Sequence, residues 1–85
     1  MPYAIVVVPS AQRALQQIEK RDQKRIVARI DALAQDPHPA GARKIQGGTD
    51  EFRIRVGGYR VIYSVSDTTI TVVVIRVGHR RDLYR

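Results

Sequence analysis

Hydrophobic positions fall along this chain in six runs with two different periods. Tyr3–Val8 is almost wholly apolar and rich in β-branched residues, and Pro9 closes it, which predicts a strand. Ser10 then offers a hydroxyl as a helix N-cap, and Ala11, Ala14, Leu15 and Ile18 recur at the i, i+3, i+4, i+7 spacing of one helical face. Lys20-Arg21-Asp22 marks a short break where Asp22 can cap a second helix. Ile26, Ile30 and Leu33, flanked by Val27 and Ala34, form that helix's apolar stripe, and Asp36-Pro37-His38-Pro39 ends it because proline cannot continue the ladder. Ala40–Asp50, with Gly47-Gly48, reads as a loop. Beyond it the period changes to two over Glu51–Val56, Tyr59–Ser66 and about Thr69–Gly78. Gly57-Gly58 supplies the positive φ angles of a tight hairpin, and Asp67-Thr68 a second turn.

The resulting order is β-α-α-β-β-β, an α+β fold with a mainly antiparallel sheet and a helical hairpin on one of its faces. With 85 residues the chain has room for one domain, 1–85, and one core. Tyr59, Tyr63, Phe52 and Ile62 are expected in that core, and His38, between two prolines, is expected to be structural.

Charge sharpens the picture. Fifteen Lys and Arg face eight Asp and Glu, a net charge of +7. Residues 1–42 hold six basic and four acidic groups, whereas 43–85 hold nine and four. Such a field favours an anionic partner, nucleic acid or an acidic protein. The absence of cysteine excludes disulfides, thiolate metal sites and a cysteine nucleophile. Two histidines without metal-site spacing argue against zinc. The opening apolar run has no basic segment before it and is too short for a signal core or a membrane span, so a cytoplasmic protein without membrane contact is expected.

The basic residues are also patterned. Arg53 and Arg55 alternate with Phe52, Ile54 and Val56, which puts arginine on one face of the strand and apolar groups on the other. Read alone, that is either the solvated face of an amphipathic strand or a surface for phosphate. The chain closes on Arg80-Arg81-Asp82-Leu83-Tyr84-Arg85. Lys20-Arg21 and Lys24-Arg25 read as solvated helix charge, with a nucleic-acid footprint as the alternative.

Phe52-Arg53-Ile54-Arg55-Val56, Gly58-Tyr59-Arg60-Val61-Ile62-Tyr63, Val77-Gly78-His79-Arg80-Arg81 and the late Tyr84, in this order, resemble the RelE/ParE superfamily of bacterial toxins, in particular the RelE-type mRNA interferases. The resemblance spans essentially the whole chain. It implies a ribosome-dependent endoribonuclease that enters the ribosomal A site and cleaves messenger RNA by attack of a 2′-hydroxyl on the adjacent phosphate. It also implies neutralisation by a cognate RelB-like antitoxin, binding of the toxin–antitoxin complex to its own operator DNA through the antitoxin, and no metal or organic cofactor.

Carried over position by position, Arg60 and Arg80 match the family's phosphate-stabilising arginines, and Tyr84 its late tyrosine. Arg53 and Arg55 match basic positions that are lysine in the best-known members. An arginine, with a pKa above about 12, does not give up its proton, so these two can clamp RNA while the general base is left open. Tyr84 is the preferred proton-transfer residue, since a phenol beside several arginines is easier to ionise. His79 is a possible acid or base, because some related toxins use a tail histidine in that way. Arg43, Lys44, Arg76 and Arg81 are expected to contact RNA. The alternatives are a ParE-type toxin on the same fold that inhibits DNA gyrase without nuclease activity, and a small basic RNA-binding protein without toxicity.

Overall fold

A computed structural model describes residues 2–45 and 50–79. Strand β1 is Ala4–Val7, helix α1 Pro9–Gln16, helix α2 Lys20–Ala32, and strands β2 to β5 are Arg43–Lys44, Glu51–Val56, Tyr59–Ser66 and Thr71–His79. The sheet order is β1-β5-β4-β3-β2. β1 runs parallel to β5, and the other three pairings are antiparallel. The expected α+β architecture and mainly antiparallel sheet are present.

Local chemistry moved three boundaries. Pro9 opens α1 instead of closing the strand alone: its missing N–H costs nothing in the first turn and its fixed φ suits a helix, so Val8 becomes the N-cap and Ser10 lies inside. α2 likewise begins at Lys20 with Glu19 as N-cap, leaving Asp22 in the first turn where a carboxylate meets the positive end of the helix. The stretch expected to be a loop contains β2, whose Arg43 and Lys44 pair with Arg53 and Phe52 of β3. The β3–β4 hairpin turns at Gly57, φ 61°, a conformation that costs a side-chain-bearing residue about 1–2 kcal/mol. β5 begins two residues later than expected, after a turn in which Ile70 takes φ 51°.

The core lies between the sheet and the two helices. Ala11 from α1, Ile26 and Ile30 from α2 and Leu33 just beyond it cover Ile54, Val56, Val61, Tyr63, Val65, Val72, Val74 and Val77. Ile62 does not belong to this layer. It pairs with Arg53 on one side and Arg76 on the other, and it is only half-buried on the sheet's second face. Alternation puts it there, because Val61 and Tyr63 take the core side. Phe52 is also half-buried, stacked on Tyr63 at 5.8 Å and met edge-on by the His38 ring at 4.8 Å. No helix among the described residues is long and apolar enough to cross a membrane.

Tyr63 ties the layers together. Its hydroxyl donates a 2.8 Å hydrogen bond to the Pro37 carbonyl in the interior. Burial, with a smaller contribution from the negative charge of Asp36, pushes its pKa from 10 up to about 12. A phenol whose pKa is raised by folding favours the folded state below the unfolded value and loses that advantage as pH rises through the folded one. Stability from this group is therefore expected to hold up to about pH 10 and to fall between about pH 10 and 12. Urea midpoints measured across that range, compared with Tyr63→Phe, isolate the effect, because the variant lacks this titration.

Candidate functional site

The β3 alternation places Ile54 and Val56 in the core and sends Arg53 and Arg55 to the opposite face. Directly opposed residues of neighbouring strands share a face, their Cβ atoms roughly 4.5–5.5 Å apart. Arg43 of β2 opposes Arg53, and Arg60 of β4 opposes Arg55. The sheet thus sets arginine against arginine twice. Like charges directly opposed in this way are destabilising unless other groups compensate them.

These residues surround a cleft of about 420 Å³ at the β2–β3 edge, lined by Arg29, Gly41, Arg43, Arg53 and Arg55. Among the described residues, no acidic side chain lines it. Arg29 reaches it from α2. In a two-residue hairpin the pair next to the turn, here Val56 and Tyr59, exchanges hydrogen bonds, so the next residue on β3 directs its carbonyl away from β4. β2 ends before it can cover that carbonyl, and Arg29 Nη1 donates to the Arg55 oxygen at 3.4 Å. Arg60 lies one strand further in, between Arg55 and Gly78, and is 3% exposed. The planar fork of an arginine matches two phosphate oxygens.

Of the residues singled out from sequence, the structure brings together Arg43, Arg53, Arg55 and, beside them, Arg60. Lys44 pairs with Phe52 and projects to the other side of the sheet. Arg76 opposes Ile62 and lines a separate groove with Ser10, Ala11 and Ala14 of α1. His79 opposes Tyr59 on the helix side, with the two rings 5.5 Å apart and nearly perpendicular, in a groove with Ala14, Gln17 and Ile18. It does not join the arginine cleft. Arg80, Arg81 and Tyr84 lie outside the described residues. Arg29 was missing from the sequence reading. The signal available was its place immediately before the core residue Ile30, at the margin of the apolar stripe, which is too weak to separate it from ordinary solvated helix charge.

The fold is thus a five-stranded sheet with a helical hairpin on one face and opposed arginines on the other, in a small basic protein. A family model described as the ParE toxin of type II toxin–antitoxin systems matches residues 5–84. Toxin RelG of Mycobacterium tuberculosis is 35% identical over 88 residues, covering 100% of this chain and 99% of the relative. Among solved structures, the RelBE2 toxin–antitoxin complex of Mycobacterium tuberculosis contains a chain that superimposes with a TM-score of 0.83 at 28% identity, over 94% of this chain and 93% of that one. The archaeal RelE–RelB complex of Pyrococcus horikoshii gives 0.81 at 28% identity, over 94% and 97%. The chain belongs to the RelE/ParE superfamily, the toxins of type II toxin–antitoxin systems.

Proposed function

We propose that this toxin is a RelE-type, ribosome-dependent endoribonuclease that cleaves messenger RNA in the ribosomal A site and thereby blocks translation. The observation that carries the reading is the pair of opposed arginine couples, Arg43 with Arg53 and Arg55 with Arg60, beside a cleft whose lining among the described residues holds no acidic side chain. A scissile phosphodiester gains negative charge as the 2′-hydroxyl oxygen bonds to phosphorus and the bond to the 5′-oxygen breaks. Fixed cations aimed at that phosphate stabilise the transition state more than the ground state. The products are a cyclic phosphate and a 5′-hydroxyl end, and the proton lost by the 2′-hydroxyl is matched by one gained at the leaving oxygen.

In this reading Arg60 and Arg80 hold the phosphorane, Arg53 and Arg55 clamp the strand, and Arg43 extends the contact. Arginine at 53 and 55 leaves proton transfer to another group, and Tyr84 is assigned that role. The position of His79 against Tyr59 argues for packing over proton donation. Lys44, Arg76 and Arg81 remain candidates for wider RNA contact. A cognate RelB-like antitoxin is expected, since the two structurally similar toxins were solved with theirs. Operator binding by the complex, through the antitoxin, follows from the same reading.

Primer extension on a message translated in a purified system tests it. Cuts confined to the decoding-site codon, and only with ribosomes present, are the expected result. An intact message would remove the reading, and inhibition of gyrase supercoiling by the same preparation would put the ParE-type activity in its place.

A further inference from the structure

Two depressions along the β3 edge share one wall. The four-arginine cleft ends at Arg29, and a second cavity of about 380 Å³, lined by Arg25, Ala28, Arg29, Val56 and Gly57, begins there. Arg25 and Arg29 are four residues apart on α2 and so project from the same side of the helix. The guanidinium of Arg25 reaches the hairpin: a Cβ built on Gly57 would come within 3.5 Å of its Nη1. Asp22 is 3.8 Å from Arg25, with its side chain 33% exposed and that of Arg25 58% exposed, an arrangement that neutralises little in water. Gly41 at one end has open space around it, and at the other end the Arg25 guanidinium itself lies over Gly57.

From this continuity we infer that the toxin's RNA site does not end at the sheet: Arg29 and Arg25 extend it along α2 as a track for consecutive phosphates of a single RNA strand, running from Gly41 to the Gly57 turn. The inference rests on the RNA reading of the sheet arginines and adds the helix to it. Arg29 occupies the junction. It uses one of its five N–H donors on the Arg55 carbonyl and lines both depressions. An acidic peptide could also be drawn to such a surface. The spacing of forked cations along one edge favours a regularly charged backbone over scattered carboxylates.

Fluorescence anisotropy of the full chain with a labelled twelve-nucleotide single-stranded RNA, across a salt series and without ribosomes, tests this. Each phosphate contact to a single strand contributes about 0.7 to the slope of log affinity against log salt. Arg29→Gln is expected to weaken binding about tenfold and flatten the slope by about 0.7, and Arg25→Gln/Arg29→Gln to flatten it by about 1.4. Arg13→Gln on α1 removes the same charge away from the track and is expected to change affinity less than about twofold. Thermal melts of each variant guard against a folding defect. Should Arg29→Gln fail to fold, the exposed Arg25→Gln alone carries the test, with an expected loss of about 0.7 in slope.

If Arg53→Gln/Arg55→Gln flattens the slope while the α2 variants match wild type, the track is wrong and the sheet site stands. If neither set changes the slope, the RNA reading of the sheet falls as well. Equal losses from Arg13→Gln and Arg29→Gln would reduce the track to a general field effect. Retained RNA binding with lost binding of a labelled acidic peptide would assign the surface to a protein partner and overturn the inference.

Discussion

Arg60→Met is expected to abolish message cleavage, by roughly two to three orders of magnitude, without unfolding the domain. The first half follows from its place. Arg60 is buried, with Arg55 and Gly78 as its cross-strand neighbours, so water screens its charge poorly. Removing one preorganised donor from a site where charge develops typically costs about 10²–10³ in rate. The second half follows from shape: an unbranched apolar side chain of similar length fills much of the same space, so the variant should remain folded, at a cost set by the contacts the guanidinium gives up. Single-turnover cleavage on programmed ribosomes, paired with a thermal melt, reads both. Full cleavage by folded Arg60→Met would remove Arg60 from the site, and a large drop in melting temperature would show that it is needed for the fold itself.

The divergence of those two effects explains which features could be read from the chain. Positions where local chemistry and fold agree were legible. The alternation of Arg53 and Arg55 with Ile54 and Val56 is intrinsic to any strand, so the arginine face followed from spacing alone. The helical stripes through Ile26 and Ile30 were legible for the same reason. What depends on partners far along the chain was not. A two-residue strand such as Arg43-Lys44 has no period to detect, and it exists because the edge of β3 can pair with it. The parallel pairing of Ala4–Val7 with Thr71–Val74 joins opposite ends of the chain, and nothing local announces it. Arg29 acquires its role from the uncovered Arg55 carbonyl, a consequence of where β2 stops. The resemblance of the chain to RelE-type toxins supplied roles for Arg60, Arg80 and Tyr84 that alternation could not. It also drew attention to His79, which register then placed on the helix side.

Ile54→Ala should produce the opposite pattern from Arg60→Met: loss of the fold, with chemistry lost only through it. Ile54 is 1% exposed, opposes Val61 and packs in the layer formed by Ile26, Ile30 and Leu33. Truncating a buried isoleucine to alanine costs about 2–5 kcal/mol, because transfer energy is lost and the cavity collapses only in part. A chain of this length is expected to have only about 4–13 kcal/mol in total, at roughly 0.05–0.15 kcal/mol per residue. At about 4–8 °C per kcal/mol, the melting temperature should drop by at least about 8 °C. Ile62→Ala, on the arginine face and half-buried, should lose about 1 kcal/mol, nearer the ordinary cost of a point substitution. Temperature then separates the two kinds of failure. Well below its melting temperature, Ile54→Ala should cleave at close to the wild-type rate, since Arg53 and Arg55 remain on their own face. Arg60→Met should stay inactive at every temperature. Persistent inactivity of folded Ile54→Ala in the cold would mean that the core side of β3 sets the arginine geometry more tightly than alternation requires.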